Sequence, residues 1–200
     1  MPALGRLISL LAVIAMVPAF AAAQVAPASQ REIAVSELQR PNVLVVLRHA
    51  SAPGVGDPPG FRLADCATQR NLDARGREQA ARLGTSWKAA GFRPTQVWSS
   101  AWCRCQDTAR LIGLGPVQVQ PLLNSFFGAD AQRRDAQVAQ LSRLIDGLDP
   151  HGGPYLMVTH QVVITALTGH GADSGGGVAI ELPQGGTARR TRVLPAAGLD

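Results

Sequence analysis

Apolar and polar positions along the chain fall into blocks of two periods. Residues 42–47, Asn-Val-Leu-Val-Val-Leu, form a continuous apolar run opened by Pro41, which predicts a strand buried on both faces. Residues 51–60 hold Pro53, Gly54, Gly56, Pro58, Pro59 and Gly60, a density that excludes regular structure and predicts a long loop over the strand's end. Asp73 then stands where it can cap a helix carrying Ala80, Leu83, Trp87 and Ala90 at helical spacing, with Gly91 and Pro94 closing it. A short strand over 95–99 and a helix over 103–112, ended by Gly113 and Gly115, come next, and 117–119 reads as a further short strand. Val138, Leu141, Leu144, Ile145 and Leu148 mark one face of an amphipathic helix over 131–148. A second buried strand at 155–158 leads into a helix from about 160 to 167, and 178–182 with 187–193 reads as a terminal hairpin around Pro183-Gln184-Gly185-Gly186.

Strands alternating with helices predict one α/β domain: a three-layer sandwich with a largely parallel central sheet flanked by helices and the hairpin at one edge. Its expected extent is 41–200. The stretch 24–40, mixed and rich in Ala and Gln without a sustained period, reads as a tether. Ahead of it, Arg6, the apolar core 7–20 and the small residues Ala21-Ala22-Ala23 have the layout of a secretory signal peptide over residues 1–23, too short for a comfortable membrane span. A periplasmic or secreted product without stable membrane insertion is expected.

Composition changes this picture little. The 200 residues carry 19 Lys and Arg against 14 Asp and Glu, a formal charge of +5. Lys88 is the single lysine, so the basic side is almost wholly guanidinium, which suits anionic partners. The basic residues are scattered and aromatics are few, so nucleic acid is not indicated. The three cysteines, Cys66, Cys103 and Cys105, are an odd number for a chain entering an oxidising compartment, and one disulfide from Cys66 to Cys103 or Cys105 is expected. Cys-x-Cys without a companion pair is a poor zinc signature, and no cluster of carboxylates and imidazoles suggests another metal or a cofactor.

The chemistry lies at the strand ends. Arg48-His49 follows the first strand, Ser99-Ser100 with Arg104 follows the second, and Thr159-His160-Gln161 follows the buried strand at 155–158. In a parallel sheet these ends share one edge, where open α/β sheets bind ligands, so two imidazoles and two guanidiniums can converge there. Guanidiniums grip a phosphoryl group in a bidentate fork and an imidazole can attack phosphorus.

These segments resemble the histidine phosphatase superfamily, which includes the cofactor-dependent phosphoglycerate mutases and many phosphatases. The resemblance rests on LRHA at the first strand end, on SSAWCRCQDTA as a Ser-Ser-x-x-x-Arg-x-x-x-Thr-Ala pattern that places Arg104, and on VTHQ with His160. DCATQRNLDARGREQA resembles the family's Arg-x-Leu-(x)n-Gly-x-x-Gln-Ala stretch. Within the superfamily, DCATQRNL, SSAWCRC, LLNSFF and THQVVITALTG are most similar to exported bacterial members related to lipopolysaccharide core heptose phosphate phosphatases.

The resemblance implies a metal-independent phosphomonoesterase acting on a phosphorylated small molecule or sugar, with His49 as the phosphorylated nucleophile. Arg48 and Arg104 would hold the phosphoryl oxygens, and a protonated His160 would stabilise the transition state. The sequence departs from the family pattern where a proton donor is expected. Asn124 replaces the Glu of a Leu-x-Glu-x-x-Phe-Gly stretch and Gln161 replaces an Asp after the second His, so both are assigned to substrate contact instead. Asp57, Asp65 and Asp130 are the carboxylates that could substitute from loops. Gly176 is a third departure, standing where relatives of this subgroup resemble Ser-Gly-Glu. Two alternatives follow: a phosphate- or anion-binding domain that has lost turnover, and a phosphoglycerate mutase-like phosphotransferase.

Overall fold

The computed structural model describes residues 32–196; the expected signal peptide and residues 24–31 of the expected tether lie outside the described residues. Six strands form one sheet: β1 (Val43–Arg48), β2 (Gln96–Ser99), β3 (Val117–Val119), β4 (Tyr155–Thr159), β5 (Gly177–Glu181) and β6 (Arg190–Leu194). Four helices intervene: α1 (Ala74–Ala89), α2 (Cys103–Ile112), α3 (Ala131–Asp146) and α4 (Gln161–Thr168). The spatial order is β3-β2-β4-β1-β5-β6. The first four strands of that order are parallel, β5 is antiparallel to β1, and β6 is antiparallel to β5.

The apolar run of β1 is continuous because it sits between two layers. Val43, Val45 and Leu47 face a core with Leu83, Trp87, Ala109 and Ile112 of α1 and α2. Leu44 and Val46 face the opposite core with Leu141 and Ile145 of α3 and Val163 and Ile164 of α4. Asp73 caps α1 as expected, accepting from Gly76 N–H at 2.7 Å, and Asp130 caps α3, accepting from Arg133 N–H at 2.8 Å. Gly113 ends α2 in the left-handed region at φ 65°, which the absence of a Cβ permits.

Two expectations are corrected. The tether boundary at residue 40 is too late: Ile33 and Leu38 are buried in the core, Ile33 N–H donates to Val193 O at 2.9 Å, and Arg192 of β6 pairs with Glu37. Ile33 and Leu38, the two buried apolar residues there, stand five positions apart with Val35 only partly covered, which gives no period to read. The hairpin strands are also out of place, because the connection spans 182–189 and β6 starts only at Arg190. Arg192 is held between Glu37 and Glu181, and Arg189 pairs with Asp146 of α3, so two hairpin arginines are consumed internally. No helix among the described residues is long and apolar enough to cross a membrane.

Candidate active site

Because β1, β2 and β4 are parallel neighbours, their carboxyl ends deliver Arg48-His49, Ser99-Ser100 and Thr159-His160 to one edge. There the chain encloses a cavity of about 410 Å³ whose lining includes Arg48, His49, Arg70, Arg104, His160 and Asp57. The His49 and His160 rings lie 5.6 Å apart, edge to face at 70°.

His49 is 3% exposed, and its Nδ1 lies 2.7 Å from the Ala50 carbonyl. A carbonyl can only accept, so Nδ1 carries the proton and Nε2 keeps a lone pair. Burial, reinforced by Arg104, Arg70 and Arg48, drives its pKa down to about 3, so the ring is neutral at pH 7. Several residues remote from the cavity fix this geometry. Ala50 N–H donates to Thr108 Oγ1 at 3.0 Å, and that hydroxyl donates to Arg104 O one turn back on α2 at 2.7 Å. Ser51 N–H donates to Gln79 Oε1 at 3.0 Å, while Gln79 Nε2 reaches Ser174 O at 2.7 Å. Gly76 lies so close that a Cβ there would sit 2.0 Å from Ser51 O. The Gly-x-x-Gln and Arg-x-x-x-Thr spacings thus hold the backbone that follows His49.

His160, 4% exposed, shares a 2.8 Å hydrogen bond between its Nε2 and Ser100 Oγ. Burial, then His49 and the three guanidiniums, holds it well below the usual histidine range. Its protonated form, expected with a phosphoryl group bound, is thus disfavoured by the protein surroundings alone. Cys105 packs its Sγ 3.5 Å from the same nitrogen, and burial pushes its thiol up to about 12, so it is an un-ionised group packed behind His160.

Arg104 is 2% exposed and faces Asp57 across a bidentate pair, with Nη1 2.8 Å from Oδ1 and Nη2 3.3 Å from Oδ2. Asp57 also accepts from Arg70 N–H at 3.0 Å and Trp102 Nε1–H at 2.9 Å. Burial works to raise this carboxyl, but those donors outweigh it and hold it below the usual range, so it is ionised. Arg70 clasps the long loop, its Nε donating to Gly56 O at 2.7 Å and its Nη1 to Ala52 O. Arg48 donates from Nη1 to Ala172 O at 2.9 Å. The Nε groups of Arg48 and Arg104 are buried without a protein partner.

The disulfide joins Cys66 and Cys103, Cα atoms 5.7 Å apart, leaving Cys105 as a buried thiol. It ties the segment bearing Arg70 to the first residue of α2, whose Cys103 N–H is capped by Gln69 Oε1 at 3.0 Å. Arg70 and Arg104 are therefore delivered together.

The other assigned residues divide between the cavity and its surroundings. Asn124 does not line the cavity, although its neighbour Ser125 does; its Oδ1 accepts from Ala101 N–H at 2.8 Å and Ser100 Oγ at 3.3 Å, bracing the loop behind His160. Gln161 lies at the rim with its amide engaged, Oε1 accepting from Ala172 N–H and Nε2 donating to Thr165 Oγ1. Asp65 caps a short 3-10 turn and Asp130 caps α3, both outside the cavity, so Asp57 alone of the three candidate carboxylates reaches it. At Gly176 a Cβ would meet Ala196 N at 2.9 Å, so the space there is taken by backbone. The sequence reading missed Arg70 as a member of the site, although its Arg-x-Leu signal was visible. Among the described residues no group of three or more His, Cys, Asp or Glu is placed to hold a metal ion.

Comparison with known proteins agrees with this geometry. Residues 44–143 match the profile of the histidine phosphatase superfamily, branch 1, and the chain belongs to that superfamily. Its fold is shared with several solved phosphatases. The alpha-ribazole phosphatase from Shigella flexneri is 24% identical over 79% of this chain and 99% of its own, with a TM-score of 0.55. A mycobacterial glucosyl-3-phosphoglycerate phosphatase is 18% identical over 78% of this chain and 99% of its own, at 0.53. The protein histidine phosphatase SixA, solved with tungstate, is 16% identical over 74% and 96%, at 0.55. No curated protein sequence matches the chain.

Proposed function

We propose that this chain is an exported, metal-independent phosphomonoesterase that works through a phosphohistidine on His49. The observation that carries the reading is the fixed tautomer of His49 within a ring of guanidiniums: Nδ1–H is committed to Ala50 O, and Nε2 is neutral and nucleophilic. Attack forms the N–P bond as the P–O bond to the leaving alcohol breaks. Arg48, Arg70 and Arg104 offset the charge of the transferring phosphoryl, the task a metal performs elsewhere. A dianion arriving between the rings favours protonation of His160, which can then donate to a phosphoryl oxygen. Water attacks the phosphohistidine next, releasing inorganic phosphate and returning the electron pair to Nε2.

Asp57, ionised and bound by four donor groups, is a positioning residue for Arg104 rather than a proton donor. Without a carboxylic acid to protonate the leaving oxygen, good leaving groups are turned over fastest. The same absence favours the second reading, an anion-binding domain without turnover. Export is supported by the N-terminal pattern and by the Cys66–Cys103 disulfide, which persists in oxidising compartments. The tracts similar to lipopolysaccharide heptose phosphate phosphatases support a sugar phosphate as one substrate class; the cavity walls favour a less hydrated alcohol.

The test is brief incubation with an aryl phosphate followed by detection of acid-labile, base-stable phosphohistidine. Label on the wild type, none on His49→Ala, and turnover insensitive to chelators are expected. Turnover surviving His49→Ala overturns the mechanism, and phosphate binding without label on activated esters establishes the second reading.

A further inference from the structure

The mouth of the cavity is apolar to a degree that phosphate binding does not require. Val55 is 88% exposed, Phe127 64% and Phe61 37%, and all three line the cavity with the buried face of Trp102. Phe61 packs on Trp102 with ring centroids 5.9 Å apart, and Gly56 brings the loop carrying Val55 against Phe127, whose Cε1 is 3.8 Å from where a Cβ would be. Phe61 and Phe127 come from separate loops and meet around one opening. Large exposed apolar residues gathered at the rim of a polar pocket mark a binding surface.

Charge narrows the occupant. The cavity holds three guanidiniums, Arg48, Arg70 and Arg104, and one carboxylate, Asp57, while both imidazoles are neutral. Before a ligand arrives the surplus of two positive charges matches one phosphoryl dianion, and the proton His160 gains on binding serves that same group. Asp57, on the same loop as Val55, repels one.

We infer that the substrate is a phosphomonoester of an uncharged, apolar alcohol or phenol, whose body is gripped by Phe61, Phe127 and Val55 while its phosphoryl group sits among the guanidiniums. The inference rests on the phosphatase reading for the word substrate; the ligand chemistry stands without it. It disfavours phosphorylated carboxylic acids and heavily hydroxylated sugar phosphates, because a hydrated body gains little against exposed phenyl and isopropyl groups.

Alkylphosphonates test the collar apart from the chemistry, since their C–P bond is not cleaved. Dissociation constants of methyl-, butyl- and octylphosphonate, and of phosphonoacetate, are measured by calorimetry on the protein as its host produces it. A tightening of about tenfold or more from methyl to octyl is expected from the apolar area that leaves water, with phosphonoacetate no tighter than methylphosphonate. Phe61→Ala and Phe127→Ala flatten the series but leave methylphosphonate affinity unchanged, which also shows that they fold. Equal affinity for methyl- and octylphosphonate, or preference for phosphonoacetate, overturns the inference. A chain-length effect without phosphohistidine leaves the inference standing and defeats the catalytic reading.

Discussion

Gly76→Ala sets helix propensity against packing. Gly76 is the third residue of α1, where alanine gains at most about 1 kcal/mol over glycine. The added Cβ lands 2.0 Å from Ser51 O, 2.9 Å from Ser51 C and 3.2 Å from Ser51 N, whereas real Cβ atoms essentially never approach within 3.0 Å. The obstacle is backbone, so no rotamer change relieves it. Either α1 or the 50–51 segment must shift by an ångström or so, and overpacking of this kind costs about 1–3 kcal/mol or more. The net expectation is destabilisation by about 1–2 kcal/mol, a melting temperature lower by about 2–8 °C. Because the displaced segment carries the carbonyl that orients His49, kcat/KM on an aryl phosphate should fall by about 100-fold, the cost of misplacing a reacting group by an ångström. Urea unfolding, thermal melts and steady-state kinetics measure these effects, with Arg75→Ala on the exposed face of the same turn as a control that moves none of them. A Gly76→Ala protein as stable as wild type, or more so, shows that the contact is not a close fit and that α1 does not position the nucleophile's loop.

Three further outcomes are expected. His49 is held down to about 3 and His160 is lowered too, while an unfolded histidine titrates near 6.5. Below that pH the unfolded chain takes up protons that the native site refuses, so stability falls with acidification by about 1.4 kcal/mol per pH unit for each ring; urea midpoints in phosphate-free buffer that do not change between pH 7 and 5 contradict it. Opening the Cys66–Cys103 disulfide, which closes a sequence separation of 37, should cost about 4 kcal/mol by chain entropy, measured as the unfolding midpoint of Cys66→Ser/Cys103→Ser against wild type. Asn124→Ala removes the acceptor shared by Ala101 N–H and Ser100 Oγ and should destabilise by about 1–2 kcal/mol. Its kcat should fall more than its KM rises, because Ser100 holds His160; a KM effect alone would make Asn124 a substrate contact after all.

The layered fold was legible because the chain states it twice. Apolar runs at β1 and β4 have no polar alternation, which only strands covered on both faces tolerate, and Asp73, Asp130 and Gly113 punctuate the helices between them. The register of the last strand was less readable, since a Gly-rich connection allows the pairing to begin at several residues. The choice of cysteine was open for a related reason. Residues two apart on a helix point about 200° from each other, so Cys103 and Cys105 face opposite sides of α2, but which side meets Cys66 is decided by the 66–71 segment. That segment and the 51–60 loop carry Pro, Gly and short polar residues whose path no period reveals, and they contribute Arg70 and Asp57.

The division between legible and hidden residues follows the chemistry. Residues at strand ends are placed by the sheet, so Arg48, His49 and His160 could be grouped from topology alone. Asp57 reaches Arg104 because Arg70 clasps the carbonyls of Ala52 and Gly56, and Arg70 is itself positioned by the disulfide and by the bond that its neighbour Gln69 accepts from Cys103 N–H of α2. The loop-borne carboxylate sets the cavity's net charge while the same loop presents Val55 to its mouth. On the proposed mechanism, a change that loosens this clasp alters phosphate recognition and selection of the leaving group together, whereas one at Gly76, Gln79 or Thr108 acts through the backbone after His49 and reaches the proposed nucleophile first. Kinetics on esters that share a phosphoryl group but differ in apolar body separate the two routes, because only the loop route changes the ranking of substrates.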